Sequence, residues 1–417
     1  VSLEIIEQLN SNLKIGIVSP FRAQDLADLL EEVSRRRLQE IIGVTATPVT
    51  PMAREWHRRG HSLTIFTLDP SVTKPQHLKG ERLSIHILPK RRSRECLLDC
   101  YRQERRLIRA VVASESPEVL SAQWTYDHAL AALDCGLPTV VTCHDAPLRC
   151  AWIAKHWHMT YHLLLAWKVI RKADRLICVS PYTAEHIQRY FRPRCPVDII
   201  PNGLYPEVFE RGRRRLEKSE SSQSTCTLCS VGGWGGLKNQ KTLLQAFAAL
   251  SSVKDRPAKL VLFGPGTASG EAAESWARKK NLHHNVEFRG SKPREDILDF
   301  LETEADLMVH PSLNEAHGMV LIEAMACGVP VIGGKKSGAV PWTLESGYSG
   351  FLCNVRDVHD LTRTILLARN QANDERHAMS LRAWHFVSER FRIEDAARAN
   401  EEILGTLLKT VNKEKAL

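Results

Sequence analysis

Residues 310–333, HPSLNEAHGMVLIEAMACGVPVIG, are the stretch around which the rest of the chain is organised. A turn holding Glu315 leads through Gly318 into LIEAMA, a helix-forming run whose one charge is Glu323, and the unit closes on the buried-strand run VPVIG. A helix opening near Gly318 presents free N–H groups and the positive end of its dipole to an anion over the turn. A nucleotide diphosphate fits that description. Eight residues of helical rise span about 12 Å, so the two carboxylates suit the two ends of an elongated ligand. Glutamates are ordinarily solvated helix residues. Here one precedes the apolar run and the other interrupts it.

Outward from this stretch, short apolar runs recur between helical patterns: TLCSVGG near Leu228, AKLVLFGPG near Leu260, NVEFRGS near Val286, DLMVHPS near Met308, VPVIGGK near Val331 and GFLCNV near Leu352. An earlier series begins with KIGIVS at Lys14 and continues through SLTIFTL, LSIHIL, AVVAS near Val111, PTVVTCHD, RLICVS and VDIIPNG. Such alternation predicts α/β structure: two doubly wound, Rossmann-like domains with an intervening cleft, ligands binding at the carboxyl ends of the strands. The boundaries are expected at 1–206, 207–390 and 391–417, the last a terminal helix. A polar, basic stretch over residues 210–224 reads as the linker, and residues 21–40 as a charged helical insertion.

A chain of 417 residues suits two domains, and 43% hydrophobic with 25% charged residues is ordinary globular composition. No apolar run approaches the ~20 residues that span a bilayer, and no signal-peptide pattern precedes Lys14. Eleven scattered cysteines suit a reducing cytoplasm. Cys226 and Cys229 flank a strand and point to opposite faces, so they do not form a metal site. The net charge of +9 includes Arg102, Arg105, Arg106 and Arg109 on one helical stripe. That stripe reads either as a solvated face or as a contact with an anionic membrane surface on the cytoplasmic side. No nucleic-acid motif accompanies it. His156, His158 and His162 share a helix without a third ligand of suitable spacing, so no metal is expected there.

Three further segments carry candidate chemistry. PTVVTCHD delivers His144 and Asp145 to the carboxyl end of a strand. VGGWGGLKNQKTLLQAF, residues 231–247, is a glycine-rich turn entering a helix, with Lys238 as a point charge for a diphosphate. GPG at Gly264 and FRGS at Arg289 are strand-end turns.

These segments, with the two glutamates separated by seven residues ahead of a Gly-Val-Pro strand entry, closely resemble the donor-site signature of family 4 glycosyltransferases of the GT-B fold. The resemblance is strong from Leu228 onward, with His144 and IIPNG as outposts before it. It implies a retaining, hexosyltransferase-type enzyme without cofactor or metal, moving a sugar from a nucleotide-diphosphate sugar to a saccharide or lipid-linked acceptor in polysaccharide or glycoconjugate biosynthesis. The terminal helix is expected to pack back across the first domain. His144, Lys238 and Glu315 are the implied catalytic residues. Gly233, Gly264, Arg289, His317, Gly318, Met319, Val320 and Glu323 join Lys238 and Glu315 in donor binding, with Asp145 and Thr45 on the acceptor side. The absence of Asp-x-Asp argues against metal-dependent GT-A transferases.

Three positions depart from the family pattern. Gly233 stands where the family has an arginine, and Lys241 is the nearest candidate to replace it. Trp342 stands where a glutamate is common, and His317 where an aromatic residue is usual. The alternatives are a catalytically weak or inactive nucleotide-sugar-binding subunit and a sugar-nucleotide epimerase.

Overall fold

The computed structural model describes residues 12–43, 47–154, 158–218, 225–250 and 257–416. The chain forms two compact units, one comprising Leu204–Arg392 with Trp152–Ala154, the other the remaining residues, including Ile393–Leu417. The chain thus leaves its first unit after Gly203 and returns to it at Ile393.

The first unit holds an eight-stranded sheet of β1 (Lys14–Val18), β2 (Ser62–Asp69), β3 (Gln76–Gly80), β4 (Leu83–Pro89), β5 (Val119–Gln123), β6 (Thr139–Cys143), β7 (Arg175–Cys178) and β8 (Val197–Ile199). Its order is β3-β4-β2-β1-β5-β6-β7-β8, every pair parallel except β3 with β4. The second unit carries β9 (Cys226–Val231), β10 (Ala258–Phe263), β11 (Val286–Gly290), β12 (Leu307–Val309), β13 (Val331–Gly334) and β14 (Phe351–Cys353). These form a wholly parallel sheet ordered β11-β10-β9-β12-β13-β14. Strands covered by helices on both faces read as near-continuous apolar runs, as β9, β10, β12 and β13 do, whereas the edge strand β11 carries Glu287 and Arg289 and is only half-buried. Strand order reverses between β1 and β5 in one sheet and between β9 and β12 in the other, and crevices for ligands open at such points.

The terminal Ile393–Ala416 helix packs in the first unit beside the Val49–Arg58 helix. Ala396, Ala397 and Leu404 enter the core there, and the indole N–H of Trp56 donates to the Ala397 carbonyl at 3.4 Å. Arg59 holds Glu401 through two hydrogen bonds of 2.7 and 2.8 Å, and His61 lies 3.0 Å from the same carboxylate.

Several local expectations are corrected. AVVAS is not a strand but the end of the Arg102–Glu115 helix, because Glu104, Ile108 and Val112 are buried at a spacing of four and this repeat outweighs the β-branched pair. β3 (QHLKG) and β5 (VLSAQ) are strands beyond those the apolar runs predict. The basic run over residues 210–217 is no linker: it belongs to the Pro206–Glu217 helix, which opens on proline and is docked by its arginines. Arg211 pairs with Glu295, Asp299 and Glu302, and Arg215 donates to three carbonyls, those of Leu301, Glu302 and Ala305. A Cβ on Gly212 would fall 2.0 Å from the Ala326 carbonyl oxygen, so this helix approaches the Met319–Ala326 helix backbone to backbone. Residues 21–40 form only short pieces, the α-helical one being Glu32–Arg37.

All eleven cysteines are free thiols, and Cys226 and Cys229 enter different core clusters, as opposite strand faces require. In the arginine stripe Arg102, Arg106 and Arg109 are exposed, whereas Arg105 turns to Asp134. No helix among the described residues is long and apolar enough to cross a membrane.

Candidate active site

In the second unit, the loops that leave β9 and β12 meet at the point where strand order reverses. Leu313 N donates to the Leu237 carbonyl at 2.8 Å, and Asn239 Nδ2 donates to the carbonyls of Pro311 and Val355. This stitching carries Lys238 to Glu315, where Lys238 Nζ lies 2.5 Å from Glu315 Oε1. His310 Nε2 donates to the same oxygen at 2.9 Å. The Glu315 backbone is pinned as well, its N–H to Ser337 O and its carbonyl to Ala339 N. Burial alone raises the Glu315 carboxyl; Lys238 and His310 outweigh it and hold the group well below the usual carboxylate range. The result is an anchored anion with a cation beside it.

Gly318 takes a left-handed conformation at φ 88° and caps the Met319–Ala326 helix. The amide N–H groups of Met319 and Val320 open that helix and have no acceptor within it by geometry. Only Glu323 is helical; Glu315 lies four residues before the first turn, so the two carboxylates do not share one helix. Glu323 is buried, and Arg294 Nε donates to its Oε1 at 2.7 Å. Arg294 is not among the residues that the sequence singles out. It opens the Arg294–Thr303 helix, and its Nη2 is enclosed without a hydrogen-bond partner. Only its position directly after a proline, at a helix start behind FRGS, could have flagged it.

Around the glycine turn, Gly264 has φ 130° and a Cβ there would fall 2.4 Å from the Gly232 carbonyl oxygen. Gly233 is different: a Cβ would meet nothing nearer than Pro265 O at 3.5 Å. Lys241 does not take the place of the absent arginine, because its ammonium lies over the rings of Trp234 and Trp276.

Two donor-side expectations are corrected. The Arg289 guanidinium is paired with Glu287 and Glu304 and stacks on Phe300, so it is engaged in structural pairing. His317 is a packing residue. Its imidazole is buried between Trp342 and Phe391, at 5.6 and 4.9 Å between ring centres, and neither ring nitrogen has a partner. Burial pushes it down to about 3, against the opposing pull of Glu315, so the ring is neutral. His317 and Trp342, two separate departures in the sequence, are therefore one contact in the fold.

In the first unit, His144 follows β6 and Gln123 ends β5. Gln123 Nε2 donates to Ser121 Oγ at 2.9 Å, so its Oε1 accepts, and His144 Nε2 donates to it at 2.7 Å. The imidazole also packs on Trp124 at 4.6 Å. It lines a pocket shared with Gln123, Thr142, Asn202 and Asn400. Asn400 comes from the terminal helix, which thus contributes to this site.

Asp145 is not in that pocket. Tyr126 Oη donates to its Oδ2 at 2.7 Å and its Oδ1 is enclosed, so the acceptor-side expectation becomes an internal role. Burial pushes the carboxyl up to about 6, the Tyr126 hydrogen bond opposing it. A folded pKa above the unfolded 3.8 means the native state binds the extra proton, so this group's contribution falls as pH rises from about 4 to 6. Asp145→Asn is expected to gain about 1–2 kcal/mol at pH 7 and to flatten that slope. Urea unfolding across this range checks it, and a steeper fall in the variant would refute the sign. Thr45 and His156 lie outside the described residues, as does the side chain of His158; His162 packs against Tyr126 at 4.9 Å.

Two parallel α/β units of this topology constitute the GT-B fold. Residues 213–384 match the family model described as glycosyl transferases group 1, and residues 46–208 match that of glycosyltransferase family 4. The chain belongs to the family 4 glycosyltransferases. It is similar to N-acetyl-alpha-D-glucosaminyl L-malate synthase of Bacillus anthracis, 31% identical over 58% of this chain and 61% of that protein. It is also similar to D-inositol 3-phosphate glycosyltransferase of Mycobacterium sp. (strain KMS), 30% identical over 51% of this chain and 49% of that one. The matches thus span between about half and three fifths of these curated relatives. Among solved structures, sucrose-phosphate synthase from Thermosynechococcus elongatus superposes with TM-score 0.76 at 18% identity, over 95% of this chain and 99% of that one. Anabaena HepE in complex with UDP-glucose gives 0.64 at 18%, over 95% and 100%.

Proposed function

We propose that this chain transfers a hexose from a nucleoside-diphosphate sugar, of which a uridine diphosphate sugar is the first to try, to a saccharide or lipid-linked hydroxyl. The observation that carries the reading is the Lys238–Glu315–His310 cluster ahead of the Gly318-capped helix start. With Oε1 of Glu315 engaged, Oε2 accepts from donor-sugar hydroxyls. Lys238 and the N–H groups of Met319 and Val320 face the departing diphosphate, and fixed donors of this kind supply most of the rate in a site without metal. Glu323, steadied by Arg294, accepts from the ribose hydroxyls. His144 is assigned to the donor sugar. The anomeric carbon–oxygen bond to phosphate breaks with its electron pair going to the diphosphate; the acceptor oxygen bonds to that carbon on the same face, and its proton passes to the leaving phosphate oxygen. Retention is the expected stereochemistry, and Lys238 together with the lack of Asp-x-Asp supports a reaction needing no metal.

The test begins with thermal stabilisation by a panel of nucleotide sugars, since a ligand of the native state raises the melting point. Turnover of the stabilising donor is then followed in the presence of EDTA, with the product anomer read by NMR. A retained linkage supports the proposal. Interconversion of donor sugars without acceptor would mean an epimerase, and binding with neither transfer nor hydrolysis a non-catalytic subunit, the reading that Gly233 favours.

Because the space beside Gly233 is open, Gly233→Arg is expected to fold normally and tighten nucleoside-diphosphate binding about tenfold, the worth of one charge-assisted hydrogen bond. Calorimetric titration with the diphosphate checks it; unchanged affinity in a folded variant would place the diphosphate elsewhere.

A further inference from the structure

We propose that His77, His86 and Glu115 form a transition-metal site, of the class zinc occupies, that ties the antiparallel edge of the first unit's sheet to the Arg102–Glu115 helix. The two histidines are nine residues apart, a spacing that signals nothing in the sequence. The β3–β4 hairpin makes them direct cross-strand partners, which puts both side chains on one face. Their rings stack at 4.1 Å, and Phe66 of β2 stacks on the far side of His86 at 5.7 Å, fixing the buried ring. Glu115 ends the helix, where a left-handed Ser116 stops it, and its Oε1 lies 3.0 Å from His86 Nε2.

One ligand atom from each residue lies within 4.8 Å of the other two. Ligands about 2.0–2.2 Å from a tetrahedral ion lie roughly 3.3–3.5 Å apart, so a shift on the order of 1 Å closes the site. Two imidazoles and one carboxylate are a zinc donor set, with water left for the fourth position. A plain ion pair explains the group less well. His86 Nε2 is enclosed and close to the carboxylate yet is not aligned for a hydrogen bond. Lys79 acts on both imidazoles and Arg37 on that of His77. The nearby Lys79 and Arg37 weigh against a divalent charge that a single carboxylate balances, so modest affinity is expected. The site lies at the β3–β4 edge of the sheet, with β2 and β1 between it and the β5–β6 pair that carries Gln123 and His144. Its role is structural, fastening a short edge strand, and stands apart from sugar transfer.

The test uses the untagged full chain, stripped with EDTA and titrated with zinc and with cobalt. About one ion per chain, cobalt ligand-field bands of a tetrahedral site and a higher melting temperature are expected. In His77→Gln/Glu115→Gln, which alters the two half-buried ligands and spares buried His86, affinity should fall at least about 100-fold while the far-ultraviolet spectrum is unchanged. Stoichiometry unaltered in that double variant, or no ion held by the parent chain, overturns the proposal.

Discussion

Replacing Lys238 by alanine is expected to lower turnover by about 10²–10³-fold, the usual loss for a donor aimed at developing charge. The same change strips the enclosed Glu315 carboxylate of its cation, leaving only His310 on Oε1, and should cost about 1–3 kcal/mol of stability. The pH dependence separates the two effects. In the parent chain the depressed Glu315 group contributes stability above its unfolded 4.5, lost on acidification. Without Lys238 burial is opposed by His310 alone, the native pKa rises, and the variant's deficit shrinks as the solution is acidified. Lys238→Ala/Glu315→Gln, which removes charge from both positions, should recover stability but not turnover. A single variant that still turns over within about tenfold of the parent would sink the assignment.

Glu323→Ala is expected to be the more damaging change to the fold. Arg294 would keep a partly buried guanidinium with its Nη2 already unpartnered and its Nε newly so. Removing one member of such a pair costs about 3–5 kcal/mol, and a unit of this size should melt lower by on the order of 10 °C. Nucleotide affinity should drop about 10–100-fold with the loss of a charged acceptor for the ribose. Glu323→Gln keeps an oxygen for Arg294 and should retain most stability while still losing affinity. Calorimetry on both variants decides: if Glu323→Gln binds nucleotide as the parent does, the carboxylate serves Arg294 alone.

The sheet cores were readable because a strand covered on both faces must be apolar throughout, and KIGIV, TLCSV or FLC allow little else. The errors arose where local chemistry was ambiguous. Two adjacent valines in AVVAS suggest a strand until the burial of Glu104, Ile108 and Val112 is known, and an arginine-rich run suggests a solvated linker until the acids of the Arg294–Thr303 helix appear opposite it. At the candidate site, Glu315, Glu323 and Lys238 were nameable because each breaks the pattern around it. Arg294 was not, since its tie to Glu323 crosses 29 residues of sequence and depends on how two helices dock. Trp342 and His317 looked like two losses. Only their ring contact makes them one substitution in two parts.

The return of the chain to its first unit at Ile393 sets an order of assembly. On a ribosome the lobe begun first would be the one completed last, with the flank of Trp56 wet and Asn400 missing from beside His144 until the closing helix is synthesised. A nascent chain cut short just after Arg392 would hold a finished Leu204–Arg392 lobe on an unfinished neighbour, a sticky intermediate that chaperones should recognise.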